Sequence, residues 1–176
     1  MADNCRKSGL ICPPDEVHRK QFLARLVNER GWTRGAELGL WDGGTYSYVL
    51  EHCPGLTLIG IDAWRPLPGY EDWPHDAHEA QTRERTAEFG DRAIIYRMTT
   101  EQAANVVEDN SLDFVFIDAD HSTPGVALDI EKWRPKARWL LGHDINWPSV
   151  EAAVSAAFPG YTTGPDHIWM APDGYL

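Results

Sequence analysis

Two short stretches crowd ionisable side chains together more densely than a solvated turn requires. FIDADHS holds Asp118, Asp120 and His121 within four positions, and GHD sets His143 beside Asp144. Carboxylates held this close repel one another unless a positive charge lies between them. Asp118 and Asp144 could converge on one hard divalent cation such as Mg²⁺, with water and substrate oxygens completing its shell. His143 as third ligand would shift the preference towards a transition metal such as Mn²⁺, and Asn146 is a second candidate for that place. An imidazole such as His121, with an ordinary pKa of about 6.5, can take a proton from a hydroxyl near neutrality. Blander roles are open to the same residues: His143 and Asp144 as hydrogen-bond partners of a nearby loop, and His121 as a helix cap. Asp120 either orients the imidazole or caps the helix that follows.

A second constellation lies earlier in the chain. In ELGLWDGGT, Gly39, Gly43 and Gly44 permit a tight turn and a close ligand approach, and a helix starting near Thr45 would point free N–H groups at an anion. Asp62, at the end of LTLIGID, can accept two hydrogen bonds from a ribose diol. Turn and carboxylate together favour a cofactor containing a nucleoside. The spacing is not GxGxxG, since Leu40, Trp41 and Asp42 follow Gly39.

These residues need a scaffold that brings them to one rim. Residues 15–30 carry Phe22, Leu23, Leu26 and Val27 on one stripe after Pro-Pro, with Asp15 placed to cap a helix and Val17 off the stripe's edge. The apolar runs GAELGL, LTLIGID, AIIYRM, LDFVFID and ARWLLGHD look like buried strands. Helix-like stretches at 44–52, 76–89, 100–107, 124–133 and 148–157 alternate with them. The pattern predicts an α/β, doubly wound, mostly parallel sheet with helices on both faces, and YTTGPDHIWMAP could add a C-terminal antiparallel hairpin. In such a sheet the carboxyl ends of the strands share one crevice. Glu37, Gly39, Asp62, Met98 to Thr100, Asp118 to His121, His143 and Asp144 all fall at those ends.

AELGLWDGGTYS followed by LIGIDAW resembles the first motif and the acidic second strand of class I S-adenosylmethionine-dependent methyltransferases. The likeness spans roughly residues 30–158. Within that superfamily, FIDADHSTPGVALDIEKWRPKARWLLGHDINWPSV is similar to the small-molecule branch that contains macrolide-sugar O-methyltransferases, with catechol O-methyltransferases as more distant relatives. The resemblance implies a Rossmann-like methyltransferase domain binding S-adenosylmethionine and releasing S-adenosylhomocysteine. Glu37 and Gly39 would meet the methionine moiety and Asp62 the ribose. Thr99, Thr100 and Glu101 would meet the adenine edge, and Trp41, Gly43, Gly44, Thr45 and Ala63 would complete the cofactor site. Asp118 would serve as its floor and as a metal ligand with His143 and Asp144. His121 would be the catalytic base that deprotonates an acceptor hydroxyl. Related metal-dependent enzymes carry an acidic or amide neighbour beside the second aspartate, where this chain has His143 and Ile145.

The remaining sequence narrows the setting. A length of 176 residues, 43% hydrophobic and 24% charged, suits a single domain, with no apolar run long enough for a bilayer. The opening MADNCRKSGLICPP has only GLIC as an apolar segment, far short of a signal peptide, so a cytoplasmic protein is expected. A net charge of −11 without a basic cluster disfavours nucleic acid and favours a small-molecule partner. Cys5, Cys12 and Cys53 lack CxxC spacing and imply neither a disulfide framework nor zinc. His75, His78 and Glu79 imitate a metal cluster but are expected on a solvated helix face. AWRPLPGYEDWPH, with Pro66, Pro68 and Pro74 among Trp64, Tyr70 and Trp73, reads as a stiff aromatic loop serving as a lid or a subunit contact. Trp133, Trp139 and Trp169 are expected to pack helices onto the sheet. An NAD-linked reductase is disfavoured because GxGxxG and Tyr-xxx-Lys are both missing. A small-amine N-methyltransferase and a non-catalytic S-adenosylmethionine-binding protein are the competing readings. The acceptor and the oligomeric state are left open.

Overall fold

The computed structural model describes residues 18–66 and 71–173. Helix α1 (Arg19–Arg30) precedes strand β1 (Arg34–Leu38), and the chain then alternates through α2 (Gly44–His52), β2 (Thr57–Asp62), α3 (His75–Thr86), β3 (Ala93–Arg97), α4 (Thr100–Ala104), β4 (Leu112–Ile117), α5 (Thr123–Trp133), β5 (Ala137–Gly142) and α6 (Pro148–Ala157). Two short strands, β6 (Thr162–Thr163) and β7 (Trp169–Met170), close it. The sheet order is β3-β2-β1-β4-β5-β7-β6, parallel through β5 and antiparallel beyond, as the alternation of strand and helix predicts.

Strand residues alternate between two cores because successive side chains point to opposite faces. Phe114 and Phe116 meet Leu23 and Val27 of α1 and Tyr46, Val49 and Leu50 of α2. Val115 and Ile117 meet Ala103 of α4, Ile130 and Trp133 of α5, and Val154 of α6. A sheet buried on both faces needs apolar residues at nearly every position, which is why these strands read as continuous runs. Trp133 and Trp169 are fully buried as expected, while Trp139 is half-buried and stacks under the Arg30 guanidinium, 4.3 Å from its ring.

The first helix begins at Arg19, with His18 as N-cap and the Gln21 side chain accepting from the His18 backbone N–H at 3.2 Å. Asp15 and Val17, assigned to this helix from the sequence, lie outside the described residues, as do Cys5, Cys12, Pro68 and Tyr70. Cys53 is buried and holds Asn28. Among the described residues, no helix is long and apolar enough to cross a membrane.

Register is what positions the site. Leu38 pairs with Ile61 on one side and Ile117 on the other, and Ile117 pairs with Gly142. Four strands therefore end flush, so Gly39, Asp62, Asp118 and His143 emerge at one rim. Backbone bonds continue past the strands there: Gly39 N–H to Ile61 O at 2.8 Å, Asp118 N–H to Leu38 O at 2.8 Å and His143 N–H to Ile117 O at 3.0 Å.

Candidate active site

Asp118 leaves β4 and Asp144 leaves β5, neighbouring parallel strands, so their carboxylates meet. His121 Nε2 lies 2.8 Å from Asp144 Oδ2 and 3.5 Å from Asp118 Oδ1. His143 Nδ1 lies 3.2 Å from Asp144 Oδ1 and 3.6 Å from Asp118 Oδ1. Two carboxylates and two imidazoles thus form one closed set. Asp144 adopts a positive φ of 57°, an uncommon conformation for a non-glycine residue, and this turn swings its side chain back over the cluster.

The two imidazoles and two carboxylates stabilise one another's charges. Contacts with Asp118 and Asp144 raise His121 to about 9 against the opposing effect of burial. Burial disfavours charge on His143 more strongly, yet the same two carboxylates raise it to about 9. Burial likewise opposes charge on Asp118 and Asp144, but the two histidines hold both carboxyls below the usual range. At neutral pH the set therefore carries compensating charges, which is how the repulsion evident in the sequence is relieved.

A cation could take over that role. Ligand atoms of Asp118, His143 and Asp144 lie within 4.8 Å of one another, close enough to share one ion. A mixed oxygen and nitrogen donor set suits Mn²⁺ as well as Mg²⁺. The ring nitrogen that faces the carboxylates is His143 Nδ1, so a shared cation would replace its contacts with Asp118 and Asp144, while the buried Nε2 has no hydrogen-bond partner among the described residues. Binding through nitrogen would require His143 to release its proton. Asn146 is exposed beside the set.

On the other side of Asp118 lies Arg19, whose Nε is 3.7 Å from Asp118 Oδ2 and donates to Thr45 Oγ1 at 3.3 Å. Its backbone N–H donates to Asp166 Oδ2 at 2.8 Å, which fastens the start of α1 to the loop before β7. Nothing in the spacing of the chain points to Arg19, because it arrives from a helix remote in sequence. Glu37 sits below this group, 2% exposed, and its Oε2 has no hydrogen-bond partner among the described residues. Burial, then the neighbouring Asp118, raises its carboxyl well above the ordinary range, against the pull of Arg19. An unsatisfied buried carboxyl is costly and suits a cationic ligand group.

The glycine turn is packed for close approach. Gly39 has φ +85°, and a Cβ there would stand 2.1 Å from the Asp118 carbonyl oxygen. Gly43 caps α2 with φ 74°. Gly44 N–H donates to Asp42 Oδ1 at 3.0 Å, closing the loop on itself. Asp62 accepts from Leu40 N–H and Trp41 N–H, both at 2.9 Å, and from Trp64 N–H at 2.8 Å. It therefore braces the turn on which Gly39 sits, and keeps about one of a carboxylate's four lone-pair sites for a ligand. Ala63 lies between these bonds, and Met98 N–H reaches Asp62 O at 3.1 Å, bringing the Thr99–Glu101 segment beside β2. Thr99 caps α4, its hydroxyl accepting from Gln102 N–H at 3.1 Å.

Several expectations change. Asp120 does not orient His121: its Oδ1 accepts from Ser122 N–H at 2.8 Å, and Ser122 caps α5, so Asp120 shapes the turn. The face of His75, His78 and Glu79 is not simply solvated. Glu79 is 13% exposed in an ion pair with Arg83 and Arg97, and His78 meets the Trp41 ring edge-on at 5.4 Å, because α3 packs over the glycine turn. Trp73 also contacts Trp41, with ring centroids 5.6 Å apart, and Trp64 donates to Trp41 O at 2.9 Å. The described part of the aromatic loop thus closes onto the turn. Trp147 and Arg19 are the site neighbours that sequence reasoning missed.

The same arrangement of sheet and helices recurs in solved structures. The O-methyltransferase from Bacillus cereus, solved with SAH, is 19% identical, with 96% of this chain and 86% of that chain covered and a TM-score of 0.63. TomG from Streptomyces achromogenes, an O-methyltransferase involved in tomaymycin synthesis and solved with SAM, is 16% identical over 98% of this chain and 87% of that one, with a TM-score of 0.63. At such identities the likeness establishes the fold alone. No curated protein sequence matches the chain. The family described as "Methyltransferase domain" matches residues 36–145, from within β1 through the Asp144 turn and so more than half of the chain, which therefore belongs to that methyltransferase-domain family.

Proposed function

We propose that this protein transfers a methyl group from S-adenosylmethionine to a hydroxyl of a small molecule. The observation that carries the reading is the meeting of His121, Asp118 and Asp144 at the strand ends, directly beside the unsatisfied Glu37 carboxyl. S-adenosylmethionine supplies a methyl group already activated on a sulfonium sulfur, so the protein's work is positioning, proton removal and exclusion of water. Glu37 offers its free oxygen to the ammonium of the methionine moiety. Gly39, with Asp118 behind it, lets the ligand lie against the backbone, and Gly43, Gly44 and Thr45 present the start of α2. Asp62, with Ala63, faces the ribose, and Thr99, Thr100 and Glu101 face the base. Trp41, pinned by Trp73 and His78, closes the crevice over the cofactor. His121 takes the acceptor's hydroxyl proton in its neutral form, which the pairing with Asp118 and Asp144 leaves as the minor form below about pH 9.

Asp118, His143 and Asp144 would hold a divalent cation, Mg²⁺ or Mn²⁺. Its charge would lower the cost of forming an alkoxide. The acidic pairing at His121 supports an oxygen acceptor over an amine, which needs less help from a cation.

Calorimetry with S-adenosylmethionine and S-adenosylhomocysteine tests the cofactor assignment, and release of S-adenosylhomocysteine with a panel of hydroxyl compounds tests the reaction. We expect His121→Ala to abolish turnover while leaving cofactor affinity within about threefold. Tight cofactor binding without turnover on any acceptor would instead make this a binding module. Turnover unaffected by exhaustive chelation would remove the metal from the scheme.

A further inference from the structure

Trp147 is one of the few large apolar side chains left exposed, at 43%, and it stands at the site. Its ring centroid is 5.0 Å from that of His121, with the planes inclined by 35°. Its place is built rather than incidental. Trp147 N–H donates to Asp144 O at 2.9 Å, so the turn that aims Asp144 also aims the indole. Pro148 then starts α6 and stiffens the exit from that turn. The Thr123 hydroxyl, two residues after His121, donates to Ser149 O, two residues after Trp147, at 2.9 Å. One hydrogen bond thereby ties the loop carrying the imidazole to the loop carrying the indole. An indole left this accessible forgoes part of the gain of burial, as Trp41 and Trp73 at the glycine turn also do, and Trp147 differs from them in standing against the imidazole.

We propose that Trp147 is the specificity-determining wall of the acceptor site, a positioning residue that holds His121 with part of its ring and offers the rest to the acceptor. This rests on the methyltransferase reading above and narrows it. The matching acceptor is a ring with an apolar face and a hydroxyl at its edge. The face lies on the indole, and the hydroxyl reaches His121 and the Asp118–Asp144 pair. An aromatic ring stacks there by its π-surface and a sugar ring by its C–H face. An acyclic alcohol of similar polarity finds the imidazole but no wall.

The test uses the full chain with S-adenosylhomocysteine bound and three probes: catechol, methyl α-glucoside and 1,2-butanediol. Dissociation constants come from NMR titration of the wild type, Trp147→Ala and Trp147→Phe. We expect at least one ring probe to bind the wild type at least tenfold more tightly than the diol. Trp147→Ala should erase that preference, and Trp147→Phe should retain it within about threefold. S-adenosylhomocysteine affinity should be equal in all three proteins, which also reports that each is folded. The aromatic and sugar arms identify which kind of ring the wall serves. The assignment is overturned if neither ring probe outcompetes the diol on the wild type, or if Trp147→Ala keeps the preference. Ring binding that depends on Trp147, with no compound of the hydroxyl panel methylated, would sink the methyl-transfer reading while leaving the wall in place.

Discussion

Replacing Asp129 by asparagine should stabilise the fold, and by an amount that grows with pH. Asp129 lies on α5, 3% exposed, against the start of α4. Burial lifts its carboxyl from 3.8 to about 7; a hydrogen bond with the Thr100 side chain lowers it in part, and the nearby Asp120 adds to the rise. The folded protein therefore binds this proton more tightly than the unfolded chain does. Stability from this residue is complete below pH 4 and is lost as pH rises through the window to about 7. At about 1.36 kcal/mol per pH unit of separation, the full loss is about 4 kcal/mol, of which about 2–3 kcal/mol falls between pH 5 and pH 8. Asparagine cannot ionise and retains an oxygen that accepts from Thr100. Urea unfolding at pH 5 and pH 8 should show the gain from Asp129→Asn to be about 2–3 kcal/mol larger at pH 8. A difference between variant and wild type that is the same at both pH values would refute the reasoning, since it would mean that Asp129 is charged throughout. The outcome bears on function, because Asp129 supports the segment from Thr99 to Glu101 assigned to the cofactor.

Gly39→Ala should cost about 2–4 kcal/mol of stability, from the strained φ and the 2.1 Å approach to the Asp118 carbonyl, and should weaken S-adenosylhomocysteine binding; thermal melts and calorimetry check both. Glu37→Gln, which leaves the volume unchanged, should lower cofactor affinity at least tenfold in the same titration, and an unchanged affinity would remove Glu37 from the ammonium site. Asp144→Asn should weaken Mn²⁺ binding, read by electron paramagnetic resonance, by at least tenfold while leaving S-adenosylhomocysteine affinity intact.

The apolar runs of the sequence place β1 to β5, and the alternation of period places α2, α5 and α6, within a few residues. Such patterns are local, because facing a core on both sides requires apolar residues at successive positions. Asp118 and Asp144, read from the sequence as able to converge, follow β4 and β5, which pair as neighbours. Boundaries were less legible where the fold overrides the pattern. The stretch predicted as one helix over 76–89 is α3 followed by a 3-10 segment, Ala87–Arg92, with Gly90 at φ 55° breaking the run. Asp62 shows a subtler gap: its position at a strand end was evident, but its grip on the Leu40 and Trp41 amides was not.

By itself the sequence determined the class of sheet, the row of residues at its carboxyl edge and the acidic and imidazole chemistry collected there. Tertiary structure alone decided that Arg19 leans on Asp118, that Glu37 is left with a free oxygen, that His78 of α3 meets Trp41 edge-on, and that Trp147 stands against His121. The physical reason lies in range. Strand and helix periodicity is written in neighbouring residues, whereas a contact between a first helix and a fourth strand depends on strand order, register and turn geometry, to which no single stretch of the chain refers.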